Sequence, residues 1–386
     1  MSSYRDEVTG ILASADIIVG GSRPHDIRVN NEAFFARFLK DGRLGLGEAY
    51  VDGWWDCDAL DVMFVKLFAS RHKVSRQLKS ARFLATAMRA KLLPAGSDKR
   101  AYNIGAKHYD IGNKLYEKML DPRMVYTCAY WKHATTLEAA QEAKLDLVCR
   151  KLKLEPGMHV LDVGCGWGSF AKFAAERYGV RVTGISVSKE QIDLGNKRCA
   201  GLPVSLEYMD YRNLSEQYDR IVSIGMFEHV GLQYYDIFMK KMTEALADDG
   251  LMLLHTIGFN DSKFFNPWLD KYIFPGAHVP SLAQITSPME NRLTVEHLQN
   301  IGVNYDPTLM AWYDNFMAAW PELEGDYDER FKRMWSYYLL SSAAGFRGRF
   351  IQVWQFVLSK EGVPGGYYFD EEARFKSGRA EHGPSV

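Results

Sequence analysis

The clearest chemistry in the chain lies in Val160-Leu-Asp-Val-Gly164-Cys-Gly166-Trp-Gly168-Ser. An apolar run leads into three alternating glycines and then into a helix start. Such glycines let the backbone turn sharply and approach a ligand where a Cβ would collide. Asp162 stands inside the strand, two residues before the first glycine. The second strand ends Gly184-Ile185-Ser186, without the acid that usually takes ribose hydroxyls at this place. Ser186, or Gln191 on the following helix, is left to make those bonds. Ser188-Lys-Glu-Gln191 reads equally well as a helix capping box. Asp210 and Tyr211 follow the third strand, where an adenine would sit, and Ile224 ends the fourth strand on the same rim.

Nicotinamide, flavin and S-adenosylmethionine folds all place a glycine loop after their first strand. Here the spacing is G-x-G-x-G rather than G-x-G-x-x-G, and with Asp162 it resembles motif I of the S-adenosylmethionine methyltransferase fold. The flanking elements agree. A helix carrying Leu145, Val148 and Leu152 precedes strands expected at His159–Gly164, Arg181–Ser186, Val204–Asp210, Tyr218–Gly225 and Gly250–Gly258, mostly separated by helical patterns. That alternation predicts an α/β fold with a doubly wound, mostly parallel sheet. Ile351–Leu358 suits a final strand. The first seventy residues are glycine-punctuated and helical in pattern, with Leu44–Trp55 reading as a helical hairpin around a buried Trp pair. We therefore expect a smaller, largely helical N-terminal domain over 1–95 and a catalytic domain over 101–386.

The 386 residues carry 47 basic and 48 acidic side chains, and 47% are hydrophobic, which excludes a disordered chain. A net charge of −1 speaks against nucleic acid as a general partner. The charge is nevertheless uneven. Residues 71–100 hold nine basic residues against one acidic, a net +8, so the rest of the chain carries −9. Val74, Leu78, Ala81, Leu84, Met88 and Leu92 recur there at steps of three and four. This is the pattern of a basic amphipathic helix, which suits an anionic membrane surface or a linker helix packed on the next domain. Five dispersed cysteines without a Cys-x-x-Cys, and no His-Glu-x-x-His, predict reduced thiols and no metal site. The N-terminus has no apolar leader pattern, and a cytoplasmic setting is expected. Aromatic content is high, with 21 Phe, 21 Tyr and 9 Trp, which suits a pocket for a long apolar ligand.

Seven ordered segments bring a more specific resemblance. They are His108-Tyr-Asp-Ile-Gly-Asn113, Tyr126-Thr-Cys-Ala-Tyr-Trp131, Leu161–Gly168, Arg220–Gly231, Leu254-His-Thr-Ile-Gly258, Trp268–Pro275 and Asn304–Tyr313. Together they resemble the cyclopropane fatty acid synthase family over essentially the whole chain. The N-terminal part favours the phospholipid-acting branch over the mycolic-acid branch, which lacks a comparable extension.

The resemblance implies methylene transfer from S-adenosylmethionine to a cis double bond of a phospholipid acyl chain, through a carbocation deprotonated by bound bicarbonate. It implies a bicarbonate cradle of Cys128, Glu228, His255, the backbone at Ile257, and Tyr305. It carries Tyr126 and Thr127 to the methionine end of the cofactor, Gly164, Gly166 and Gly168 to the loop, Ser186, Val187 and Gln191 to the ribose, and Tyr211 to the adenine. The family often has Ser at position 127 and Thr at 186, and both changes keep a hydroxyl. Taken alone, Cys128 and Tyr305 read as core residues, and His255 as a core histidine in an apolar run. His229 reads as structural. Trp268, Tyr272, Phe274, Trp312 and Phe316 are candidates for an acyl channel. A homodimer, peripheral on the inner face of the cell membrane, is a further implication. Related lipid methyltransferases giving methyl-branched or methylene products, and a non-catalytic lipid-surface protein, are the alternatives.

Overall fold

The computed structural model describes residues 4–78, 88, 112–262 and 266–371. Its sheet has seven strands: β3 (His159–Val163), β4 (Arg181–Ser186), β5 (Val204–Tyr208), β6 (Tyr218–Ile224), β7 (Leu246–Phe259), β8 (Thr294–Asn300) and β9 (Ile351–Ser359). The spatial order is β5-β4-β3-β6-β7-β9-β8. The first five are parallel, and β9 runs antiparallel between β7 and β8. Chain order reverses between β3 and β6, so the crevice for a ligand opens beyond their carboxyl ends.

The strands obey period two. Val160, Val182, Leu206 and Val222 pack with Phe170 and Phe173 on one face. Leu161, Val163, Ile185 and Ile221 pack with Phe238, Met239 and Met242 on the other. Burial on both faces gives central parallel strands their continuous apolar runs. Each fully buried side chain of this size contributes ~1.5–3 kcal/mol.

Of helices α6 (Leu137–Lys151), α7 (Ser169–Tyr178) and α8 (Lys189–Arg198), the first and last start at a side-chain cap, whereas α7 starts from the left-handed Gly168 of the glycine loop. Thr136 accepts from the Ala139 amide and Ser188 from the Gln191 amide. Ser188 thus caps α8 as expected, while the Gln191 side chain turns instead toward Ser186, whose Oγ donates to Gln191 Oε1 at 3.2 Å.

The N-terminal part comprises α1 (Tyr4–Ser14), α2 (Ala33–Val51), α3 (Leu60–Ala69), α4 (Arg71–Leu78) and a two-strand pairing of β1 (Arg28–Val29) with β2 (Trp55–Asp56). The expected hairpin over Leu44–Trp55 is not formed. Within α2 two helical segments meet at Gly42, whose φ of +56° and ψ of −125° are not helical, and the second runs on to Val51; only Trp55 of the Trp pair is fully buried, its Nε1 donating to the Leu46 carbonyl at 3.0 Å. The basic segment begins with α4, and most of its remainder lies outside the described residues, as does most of His108–Asn113.

One apolar core joins this part to α10 (Pro267–Tyr272), α12 (Tyr305–Leu323) and α13 (Glu329–Arg347). The Tyr337 ring on α13 meets Phe64, Tyr50 and Trp268 at 5.2, 5.6 and 4.5 Å. Arg333 donates to the Tyr50 and Trp55 carbonyls at 2.6 and 2.9 Å. Glu48 of α2 accepts from Lys271 at 2.6 Å and from the Tyr272 hydroxyl at 2.7 Å. Among the described residues no helix is long and apolar enough to cross a membrane.

Candidate active site

Two cavities open at the carboxyl rim of the sheet. The outer one, about 490 Å³, is walled by Asp162, Gly164, Gly166, Ser186, Val187, Gln191 and Ile224. The inner one, about 180 Å³, is walled by Glu228, His255, Ile257, Tyr305, Tyr338 and Phe346 among others. Tyr126, Thr127, Gly225, His229 and Phe274 line both. A ligand in the outer cavity is therefore one side chain away from a ligand in the inner one.

The outer cavity follows from the glycine loop. Gly164 adopts φ +84°, and a Cβ there would lie 2.6 Å from Met226, so only glycine fits the turn. Gly168 caps α7 in the left-handed region without lining the cavity. Asp162 is buried with its Oδ2 unpartnered, and burial raises its carboxyl to about 7. Asp210 and Tyr211 do not reach the wall: Asp210 is held by Arg212 at 2.6 Å, and Tyr211 packs edge-on to Phe238 at 5.2 Å.

The inner cavity is apolar with a small polar group in its wall. Glu228 follows β6, and its Oε1 accepts the Ile257 amide proton at 2.6 Å. Its Oε2 is buried and has no hydrogen-bond partner. Burial raises the Glu228 carboxyl to about 7, against the opposing pull of the Ile257 N–H. His255 lies in β7, and burial, aided by the Lys144 and Lys151 cations, pushes it well below the usual histidine range. The Tyr305 ring packs tilted against Phe346 at 4.6 Å, and burial raises its hydroxyl well above the usual tyrosine range.

Of the five cradle residues, four are brought together in this wall. Cys128 is fully buried but does not line the cavity, and its Sγ turns to the Ala129 carbonyl at 3.3 Å. The Ile257 amide is engaged by Glu228 and so is not free for a bound anion. Among the channel candidates Phe274 lines both cavities and Tyr272 the outer one, whereas Trp268, Trp312 and Phe316 lie in the core. Size and apolarity place a ring inside, and only topology decides which rings face a cavity.

Three residues that the sequence reading passed over support the site. Gln141, Lys144 and Lys151 are almost fully buried on α6. Gln141 donates to the Thr127 carbonyl at 2.8 Å, and Lys144 to Thr127 Oγ1 at 2.8 Å, fixing the strip shared by both cavities. The signal was present: 141, 144, 148 and 151 recur at helical steps on a face that must be buried, so polar residues there need a purpose. His229, read as structural, also faces both cavities, 5.8 Å from the Phe274 ring. No group of three or more His, Cys, Asp or Glu able to hold a metal occurs among the described residues.

Strand order, glycine loop and rim crevice define a protein of the S-adenosylmethionine-dependent methyltransferase class. The family description of mycolic acid cyclopropane synthetase matches residues 96–356, and the chain belongs to this family of enzymes. It is 48% identical over 359 residues to the cyclopropane-fatty-acyl-phospholipid synthase of Escherichia coli K12, covering 92% of this chain and 93% of that protein. A probable fatty acid methyltransferase of Pseudomonas putida is 36% identical, covering 66% and 68%. Among solved structures, mycolic acid cyclopropane synthase CmaA1 in complex with SAH and CTAB is 34% identical with a TM-score of 0.62, covering 70% of this chain and 100% of that chain.

Proposed function

We propose that the enzyme converts cis double bonds of phospholipid acyl chains into cyclopropane rings. A carbon–sulfur bond of S-adenosylmethionine breaks as a methyl joins one alkene carbon, a proton leaves that methyl, and its carbon bonds to the second alkene carbon. The observation that carries this reading is the shared wall of the two cavities. It sets a nucleotide-type cavity against a mainly apolar, ring-lined one whose polar wall includes Glu228, His255 and Tyr305.

When bound, the cofactor supplies an electrophilic methyl carbon and bicarbonate supplies a base. The residues present suit both. Ser186 and Gln191 offer hydroxyl and amide to a ribose, and Tyr126 and Thr127 border the methionine end. A weak alkene nucleophile needs close positioning, which Tyr126, Phe274 and Tyr338 provide by narrowing the cavity. The same rings exclude water and present π faces to positive charge. His255 and Tyr305 can donate to an anion. The orphaned Glu228 Oε2 fits a proton exchanged with that anion, because near neutrality this carboxyl is held between its two forms.

Methyl-labelled cofactor and an unsaturated phospholipid test the reading. We expect a product heavier by the mass of one labelled methylene group, without its double bond and with the label in a ring carbon. A branched saturated or exomethylene chain would favour the second reading, a lipid methyltransferase like the Pseudomonas putida relative.

We further read residues 71–100 as the strip that docks the enzyme on an anionic bilayer, residues 1–95 as a docking and oligomerisation domain, and the working form as a homodimer on the cytoplasmic face. The charge split and the lipid substrate support this.

A further inference from the structure

Lys151 is fully buried, yet the side chains it bonds are two amides rather than a carboxylate. Its Nζ donates to Gln355 Oε1 at 2.7 Å and to Gln299 Oε1 at 2.5 Å. Burying a cation in this way is costly and calls for a reason. The sheet supplies one. Gln299 on β8, Gln355 on β9 and His255 on β7 are direct cross-strand partners, so the three side chains form one row across neighbouring strands. Within that row Gln355 Nε2 lies 3.1 Å from His255 Nδ1.

The polarity of the row is set from its ends. Burial lowers Lys151 to about 7, against the pull of Glu371, and in either form its Nζ carries N–H donors. Gln299 presents its oxygen to Nζ, because its Nε2 donates to the Glu371 carboxylate at 3.1 Å. Gln355 presents its oxygen in the same sense and its NH2 to the histidine. A flipped Gln355 would set its NH2 against the ammonium form at 2.7 Å. His255 Nδ1 therefore accepts, and in a neutral ring the proton sits on Nε2. Burial and the neighbouring Lys144 and Lys151 cations favour the neutral ring.

We infer that Lys151, acting through Gln355, is a positioning residue that holds His255 as the neutral Nε2–H tautomer. The ring nitrogen left to the inner cavity is then a donor. This bears on turnover only through the role of His255 under the proposed function, whereas the tautomer stands on the geometry alone.

Nitrogen-15 spectra of the full-length protein, labelled at histidine and assigned with His255→Gln, read the tautomer directly. The unaltered protein should show His255 protonated at Nε2, and a proton on Nδ1 would overturn the inference without any variant. Gln355→Glu keeps the bond to Lys151 but presents an acceptor to Nδ1. The proton should move to Nδ1, with a ~10–100-fold fall in kcat and an unchanged KM for the cofactor. Lys151→Met should leave Gln355 free to turn and give a mixture of tautomers. An unmoved tautomer in Gln355→Glu overturns the inference even if activity falls. A moved tautomer with full kcat upholds the relay and removes His255 as a donor from the proposed function.

Discussion

Glu228 accepts the Ile257 amide proton at 2.6 Å through one carboxylate oxygen while the other is buried without a partner. One oxygen fixes the side chain, and under the proposed function the other exchanges a proton with the bound anion. In Glu228→Gln the amide oxygen can keep the Ile257 bond, but proton exchange is lost. We expect kcat to fall by ~10²–10⁴-fold with cofactor affinity nearly unchanged. Full activity would remove Glu228 from the reaction.

The same carboxyl links stability to pH. Its folded value, about 7, lies above the ordinary glutamate value of 4.5. The folded state therefore holds the proton more tightly. The associated stability is full below the unfolded value and is lost as pH rises through about 7. Unfolding midpoints of the native protein and Glu228→Gln, compared from pH 4.5 to 8, should show the native protein losing ground to the variant across that window. A constant difference would mean that the carboxyl is not held protonated.

Lys144 reaches Thr127 Oγ1 at 2.8 Å from a fully buried position. Lys144→Met removes that charge-assisted bond and the cation that moderates Asp162. Calorimetry should show cofactor binding weakened by ~10-fold or more. Unaltered binding would make the lysine purely a core residue.

Glu48 gathers Arg37, Lys271 and Tyr272, all at 2.6–2.7 Å. Lys271 and Tyr272 also line the outer cavity. Glu48→Ala leaves these groups without their shared acceptor. Because Lys271 is partly exposed, we expect a loss of about 2–3 kcal/mol in denaturant unfolding, together with a raised KM for the cofactor. A stability loss with unchanged KM would confine Glu48 to holding the fold.

Charge reversal at Arg76, Lys79 and Arg82 tests the docking strip. Flotation with anionic vesicles should show weaker binding for the triple variant, and the native protein should bind less as salt rises. Binding insensitive to both would make the segment a linker.

What the sequence determined by itself was local and periodic. The Val160–Gly168 turn needs glycines at fixed positions, and strand and helix periods are written in the chain, so the parallel strands β3 to β6 and the last strand β9 were legible within two residues of their ends, whereas β7 begins four residues earlier than its apolar run and the exposed edge strand β8 gave no apolar period to read. The polar set Glu228, His255 and Tyr305 was reached only through the ordered resemblance, since His255 and Tyr305 alone read as core. Tertiary structure decided the remainder. It put Ile257 on Glu228, left Cys128 and three of the five channel rings behind the wall, and aligned Gln299, Gln355 and His255 in one row under Lys151. Cross-strand register and the facing of a buried side chain depend on residues some hundred positions apart. No local pattern encodes them, because burial fixes that a residue is inside but not which neighbour it meets.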